Sequence, residues 1–260
     1  EARGVDTLAG EKWALEVYRL ADAGEGPDFY CTLASRYYSR VITKADTVER
    51  QFGKILKLAA GFGMGGDKFV ETARISGRSP ITPKGVIISP AEGRTAITTY
   101  RNAHTMVVAL WRHADNLLDS MWRGAEESLL PAGLVRTCKQ GLVTPSGLTI
   151  KYPNLRKNME GRWVYDSGRI SEVSIYGGKI IENVVQKLCR DIVMGQSLQV
   201  RREFKQWNLT VHDEGVFIVP NAIAERVAER SMEIFKQPPD WWPDIRLSAE
   251  VGIARRYGEA

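Results

Sequence analysis

The sequence predicts an α+β protein: a helical block, then a block that mixes short strands with helices. Three observations carry this. The first third repeats apolar residues at three- and four-residue spacing between recognisable helix caps. From Leu130 to Ile175 the texture changes to glycine, proline and short apolar alternation. A long amphipathic helix follows, and after it two apolar runs flank an acidic bend. The boundary between the blocks falls between Gly133 and Tyr176.

Trp13, Ala14, Val17 and Leu20 lie at helical spacing in Glu11 to Ala21, and Gly24-Glu-Gly-Pro27 ends that helix. Asp28 caps a second helix, with Leu33, Ala34 and Tyr37 inward. Thr43, with Asp46 three residues on, predicts the start of a third. Gly61, Gly63, Gly65 and Gly66 predict its end, and a Pro/Gly-rich connection runs from Gly77 to Gly85. Ser89-Pro-Ala-Glu92 combines an N-cap, a proline at the first helical position and an acidic third residue, and the helix it starts runs to about Trp122 with one break. Leu148 to Tyr152 reads as part of a hairpin. Gly178 to Val200 is a helix with Ile181, Val184, Val185, Leu188, Ile192 and Val193 inward. Leu209 to Asp213 and Val216 to Val219 read as strands around a Glu214-Gly215 bend, Asn221 as the next helix cap, and Arg246 to Ala254 as a last strand.

Composition narrows the function classes. With 43% hydrophobic content, 260 residues bury one large core or two smaller ones. Lys and Arg exceed Asp and Glu by 36 − 31, a net charge of +5, which permits a polyanionic partner without demanding one. Cys31, Cys138 and Cys189 are widely spaced and form no zinc or disulfide pattern, which fits a reducing cytoplasm. No apolar run approaches the roughly 18 residues that span a bilayer, so no membrane partner is expected. The chain opens at Glu1 without an initiator Met and reads as a cut or processed end.

Two motifs carry chemistry. In Glu49-Arg-Gln-Phe-Gly-Lys-Ile-Leu-Lys-Leu-Ala-Ala-Gly-Phe-Gly63, Arg50, Lys54, Leu58 and Phe62 fall four residues apart. At about 100° and 1.5 Å per residue they form one drifting helical stripe, with the two cations roughly 6 Å apart along the axis. The stripe turns from cationic to apolar, matching a nucleoside triphosphate with phosphates at one end and a flat base at the other. Both cations could instead be solvated surface charges, and Phe62 could stack on a base or fill a core. Asp213, between His212 and Glu214 at a strand end, is either a hairpin-turn residue or a ligand to Mg²⁺, which takes carboxylates together with phosphate oxygens. The two motifs together point to phosphoryl or nucleotidyl transfer. Gln186 and Arg190 place polar groups on an otherwise core-type helix. The glycine runs near Gly61 and Gly177 match neither a Walker loop nor a dinucleotide fingerprint. His104 and His113 have no partner at metal-ligand spacing and read as structural or solvated.

Taken in order, these segments resemble family A, DNA polymerase I-like DNA polymerases, and most closely their bacteriophage members. Glu1-Ala-Arg3 with Leu8-Ala-Gly-Glu11 resembles the tail of the first palm motif, and the Arg50 to Gly63 run the fingers helix. Thr144-Pro-Ser-Gly147 is similar to the hairpin before the second palm segment. Tyr176-Gly-Gly-Lys179, Glu182-Asn183 and Gln186 resemble the helix that touches primer and template, and Val211-His-Asp-Glu214 the last catalytic motif. Leu58 stands where cellular relatives carry an aromatic, Phe62 where most carry Tyr, and Leu148 where phage relatives usually have Arg.

The resemblance implies a right-hand polymerase with a helical fingers subdomain and an antiparallel-sheet palm. Residues 1–12 would be the first palm motif's tail, 13–135 the fingers, 136–175 a hairpin and loop connection, and 176–260 the C-terminal palm. The implied reaction is template-directed dNTP addition to a primer 3′ end by a two-metal mechanism. Asp213 would bind the two Mg²⁺ ions with Glu214 in support. Arg50 and Lys54 would hold the triphosphate, and Lys54 could protonate the leaving pyrophosphate. Leu58 and Phe62 would border the nascent pair and Glu1 would exclude a ribose 2′-hydroxyl. Gln186, Arg190 and His212 would lie along the primer-template. The family's first metal-binding aspartate falls just before the position of Glu1. The resemblance therefore implies a split or cleaved enzyme, inactive without an N-terminal fragment that carries the thumb and the other catalytic Asp, working in the cytoplasm of an infected bacterium. The competing readings are part of a single-subunit phage-type RNA polymerase, which a carboxylate at Glu1 opposes, and a non-catalytic nucleic-acid-binding subunit.

Overall fold

The computed structural model describes residues 1–75, 86–129, 133–205, 209–211 and 213–256. Within them the α+β expectation holds, as helices joined to short antiparallel strands. The chain divides into two compact units, Glu1–Val185 and Gln186–Ala260.

In the first unit, α1 (Ala2–Ala9), α2 (Lys12–Asp22), α3 (Phe29–Tyr38), α4 (Thr47–Ala60), α5 (Gly66–Ile75), α6 (Pro90–Ala103) and α7 (Thr105–Arg123) follow in order. The expected caps at Asp28 and Ser89 are present. Asp28 Oδ1 accepts the Cys31 amide at 2.9 Å, and Ser89 and Glu92 form a reciprocal capping box. Two boundaries differ from expectation. The Asp46 side chain turns back to accept the Thr43 amide and hydroxyl, both at 2.9 Å, so α4 starts at Thr47 rather than Thr43. The glycine cluster ends α4 but also opens α5 at Gly66. The Gly77 to Gly85 connection lies outside the described residues.

Why a glycine sits in mid-helix at Gly53 is a question of clearance. A Cβ there would lie 2.2 Å from the Tyr30 carbonyl oxygen of α3 and 3.1 Å from the Ala34 Cβ. The backbone gap lets α3 and α4 bury Leu33, Phe52 and Leu56. Gly53→Ala is expected to destabilise the fold by about 1–3 kcal/mol, despite alanine's better helix propensity, because a close-packed contact must open. Urea denaturation checks this; an unchanged midpoint would mean that the helices are not held this close.

Six strands follow as two antiparallel three-stranded sheets. β1 (Arg136–Cys138), β2 (Gly141–Val143) and β3 (Thr149–Lys151) pair in sequence order. So do β4 (Arg156–Lys157), β5 (Trp163–Ser167) and β6 (Ile170–Ser174). Then comes α8 (Gly177–Phe204), within which the division between units falls.

In the second unit, Leu188, Ile192 and Val200 of α8 and Val227 and Ile234 of α9 (Ala224–Lys236) are buried. Gln196 Nε2 donates to the Phe235 and Gln237 carbonyls at 3.2 and 2.9 Å, satisfying acceptors at the end of α9. Asn221 does not cap α9 through its side chain. A 3-10 turn over Asn221–Ile223 absorbs the start instead. The β7 (Leu209–Val211) and β8 (Glu214–Val216) hairpin pairs Val211 with Glu214. The chain therefore reverses before Glu214, not at Glu214-Gly215. The expected strand over residues 246–254 is not a strand: apolar alternation needs a neighbour, and no described strand pairs with it. Among the described residues no helix is long and apolar enough to cross a membrane.

Candidate functional site

Helix α4 presents two unlike faces. Phe52, Ile55, Leu56 and Ala60 are buried, while Lys54 is half-buried and Leu58 is 44% exposed. Lys54 makes no ion pair or hydrogen bond within the described residues and stands available to a ligand. Arg50 is different. Its Nε donates to Asp28 Oδ2 at 2.7 Å, and its guanidinium lies 5.6 Å from the Tyr30 ring centroid. Burial alone would raise the Asp28 carboxyl, but the Cys31 amide and Arg50 hold it below the usual range. Arg50 thus ties α4 to the cap of α3.

Phe62 does not continue the helical stripe. Helix α4 ends at Ala60, and Phe62 sits half-buried in a turn that Gly63 completes at φ +83°. The Trp111 Nε1 of α7 donates to the Gly61 carbonyl at 3.0 Å, taking an acceptor that a longer helix would have used. The start of α8 packs on this turn. A Cβ on Gly178 would lie 2.3 Å from the Phe62 oxygen, and one on Gly177 would lie 1.8 Å from the Trp111 oxygen. Asp115 Oδ1 accepts the Gly177 amide at 2.7 Å. The glycine pair that matches no nucleotide fingerprint is a steric requirement: only glycine lets α8 begin against α7 and the Phe62 turn.

The sequence did not reveal the charged cluster behind α4. Lys57, fully buried, donates to both Asp6 oxygens of α1 at 2.7 and 2.6 Å. The Tyr18 hydroxyl donates to Asp6 at 3.0 Å. His104 Nε2 lies 3.1 Å from the Lys57 ammonium and Nδ1 lies 3.0 Å from the Tyr100 carbonyl oxygen, so a neutral ring with its proton on Nδ1 satisfies both. Burial pushes the Asp6 carboxyl up and the Lys57 ammonium down, and their mutual hydrogen bonds oppose both shifts. Burial, followed by the Lys57 charge, lowers His104 from 6.5 to about 2. Its lack of a metal-ligand partner reflects this structural role.

A neutral buried histidine links stability to pH. Between pH 6.5 and about 2 the unfolded His104 takes a proton that the folded one refuses, so its contribution to stability is lost as pH falls. The stability difference between the native chain and His104→Gln is expected to shrink by about 1.4 kcal/mol per pH unit below 6.5. Denaturation at pH 7.0, 6.0 and 5.0 measures it, and parallel pH profiles would contradict the neutral assignment.

Glu1 is exposed immediately before α1, and its carbonyl accepts the Val5 amide at 3.0 Å. Because Asp6 binds Lys57, α1 is pinned to α4, and Glu1 stands about 7.5 Å along the axis from that pin.

In the second unit, Asp213 and Glu214 are adjacent and exposed, Asp213 in the turn and Glu214 opening β8. His212 lies outside the described residues. Gln186 and Arg190 are exposed one turn apart on a single face of α8. Hard carboxylate oxygens suit Mg²⁺. Among the described residues no three of His, Cys, Asp and Glu gather into a metal-ligand group, so this pair offers fewer donors than Mg²⁺ takes.

No family model matches the chain. A curated relative, the DNA polymerase of Bacillus phage SP02, is 25% identical over 273 residues. The alignment covers 99% of this chain and 39% of that protein, so the chain spans about two fifths of its relative's length. Along nearly all of its residues, this chain is related to a phage DNA polymerase.

Proposed function

We propose that these residues form the fingers and C-terminal palm portion of a family A, phage-type DNA polymerase, and act in template-directed dNTP addition to a primer 3′ end. The carrying observation is the similarity to a phage DNA polymerase along 99% of this chain, set beside a helix in which Arg50 and Lys57 are ion-paired while Lys54 has no partner among the described residues. In this reading Lys54 holds the triphosphate and can give a proton to the departing pyrophosphate. Arg50 reaches the same phosphates by exchanging Asp28 for them. Leu58 and Phe62 border the nascent base pair, and Gln186, Arg190 and His212 follow the primer-template strand. Asp213, supported by Glu214, would hold Mg²⁺, which when bound stabilises charge on the attacking and leaving oxygens. A further carboxylate, which the family places ahead of the position of Glu1, would complete that site. The host of such a phage is bacterial, and the reaction belongs in its cytoplasm.

Single-nucleotide extension of a primed template in Mg²⁺, by these residues together with the portion of the polymerase that carries the further carboxylate, tests the reading. Templated addition by the combination supports it, and none under conditions where both parts are folded and bound would oppose it. Sugar selection offers a sharper check. Glu1→Ala is expected to admit ribonucleotides at least about tenfold more readily, since roughly 1.4 kcal/mol of steric exclusion is a factor of ten. Leu58→Phe is expected to change the dideoxy/deoxy ratio, because an aromatic at an exposed position of α4 reaches further toward the sugar. Unchanged ratios in both variants would remove Glu1 and Leu58 from the site.

A further inference from the structure

Tyr176 precedes α8 and is 43% exposed, an unusual state for an aromatic in a closely packed junction. Its ring lies against the turn that follows α4. A Cβ on Gly63 would meet Tyr176 Cε2 at 3.3 Å, and one on Gly178 would meet the same atom at 3.0 Å. The ring therefore occupies space that a side chain at either glycine would fill. Gly178, two residues on, is pressed against the carbonyl oxygen of Phe62. The Tyr176 ring and the backbone of the Phe62 turn, far apart in sequence, are thus brought together at Gly63 and Gly178. The backbone beneath them is fixed by the Asp115 bond to the Gly177 amide and the Trp111 bond to the Gly61 carbonyl. The Tyr176 hydroxyl has no hydrogen-bond partner among the described residues.

We propose that the Tyr176 ring, set against the turn that follows α4, stacks on a nucleobase at the growing end. The inference rests on the polymerase reading and deepens it by naming a residue for base contact. Two features fit a stacking platform better than a core contact: partial exposure of the ring and an anchored backbone beneath it. Stacking needs a rigid π-face with one side open, and every base offers a face to match. A ring that served only to fill the junction would gain from full burial, and its exposure would be lost stabilisation.

Photocrosslinking of these residues together with the portion of the polymerase that carries the further carboxylate tests this. One arm uses a primed template with 5-iododeoxyuridine at the first templating position. The other uses 5-iodo-dUTP opposite a template adenine. An adduct on the peptide containing Tyr176 is expected in one arm, and the arm identifies the base as templating or incoming. Tyr176→Leu retains an apolar group on Gly63 and is expected to abolish that adduct. Tyr176→Phe is expected to keep it. In the same arm, affinity should fall roughly 5- to 150-fold for Tyr176→Leu and little for Tyr176→Phe. DNA binding by the native chain with adducts only elsewhere, or equal loss in the Phe and Leu variants, would overturn the proposal. No binding of primed DNA at all, with that portion present and both parts folded, would overturn the polymerase reading beneath it.

Discussion

Asp213→Asn is expected to lower primer extension in Mg²⁺ by several orders of magnitude in the assembled enzyme, while DNA affinity changes little. The side chain is exposed in a hairpin turn whose flanking strands pair as Val211 with Glu214, so it can be altered without disturbing a core. The amide keeps the shape and removes the charge. A carboxylate that clamps divalent ions acts on both the attacking and the leaving oxygens, so its loss falls on the chemical step. Quench-flow measurement of single-nucleotide addition is the check. Retention of more than about a tenth of the rate, equivalent to less than about 1.4 kcal/mol in the barrier, would make Asp213 a turn residue only.

Lys54→Ala carries the second large effect. Loss of a positioned proton donor is expected to reduce the maximal rate by about 10²- to 10⁴-fold, with primer-template affinity nearly unchanged. Lys54 is the cleaner probe of α4 because it has no partner within the described residues to disturb. Arg50→Ala removes the Arg50–Asp28 pair as well, so some destabilisation of the α3 start is expected beside any loss of dNTP use. Steady-state and single-turnover kinetics separate the terms. If both variants lose only DNA affinity, with a smaller salt dependence, α4 is a face for the phosphate backbone instead.

Local chemistry made much of the fold legible. Asp28 and Ser89-Pro90 could be read because caps and prolines act within one turn of chain, whereas the break before Trp122 could not be placed at His104, which makes no side-chain cap. What escaped depends on a competing local turn or on distant partners. The Thr43–Asp46 pair looked like a cap but closes a turn in front of the helix. The alternation at residues 246–254 is strand-like, yet a strand is made by its neighbour. For the candidate site, the spacing of Arg50, Lys54 and Leu58 was readable, but not that Asp28 holds Arg50 or that Phe62 lies beyond the helix end. Lys57 is the sharpest case. It lies between Leu56 and Leu58 in an apolar run, and only the fold brings Asp6 and His104 to its ammonium.

The most direct measurement of the central claim is addition of one dNTP, each of the four supplied singly, to a primer on templates that differ only in the next base. The native chain together with the portion of the polymerase that carries the further carboxylate is expected to add the complementary nucleotide in Mg²⁺. The Lys54→Ala and Asp213→Asn combinations, bound to the same DNA, are expected to add it far more slowly. Addition that ignores the template base, or that proceeds at the native rate without Lys54 and Asp213, would contradict the account.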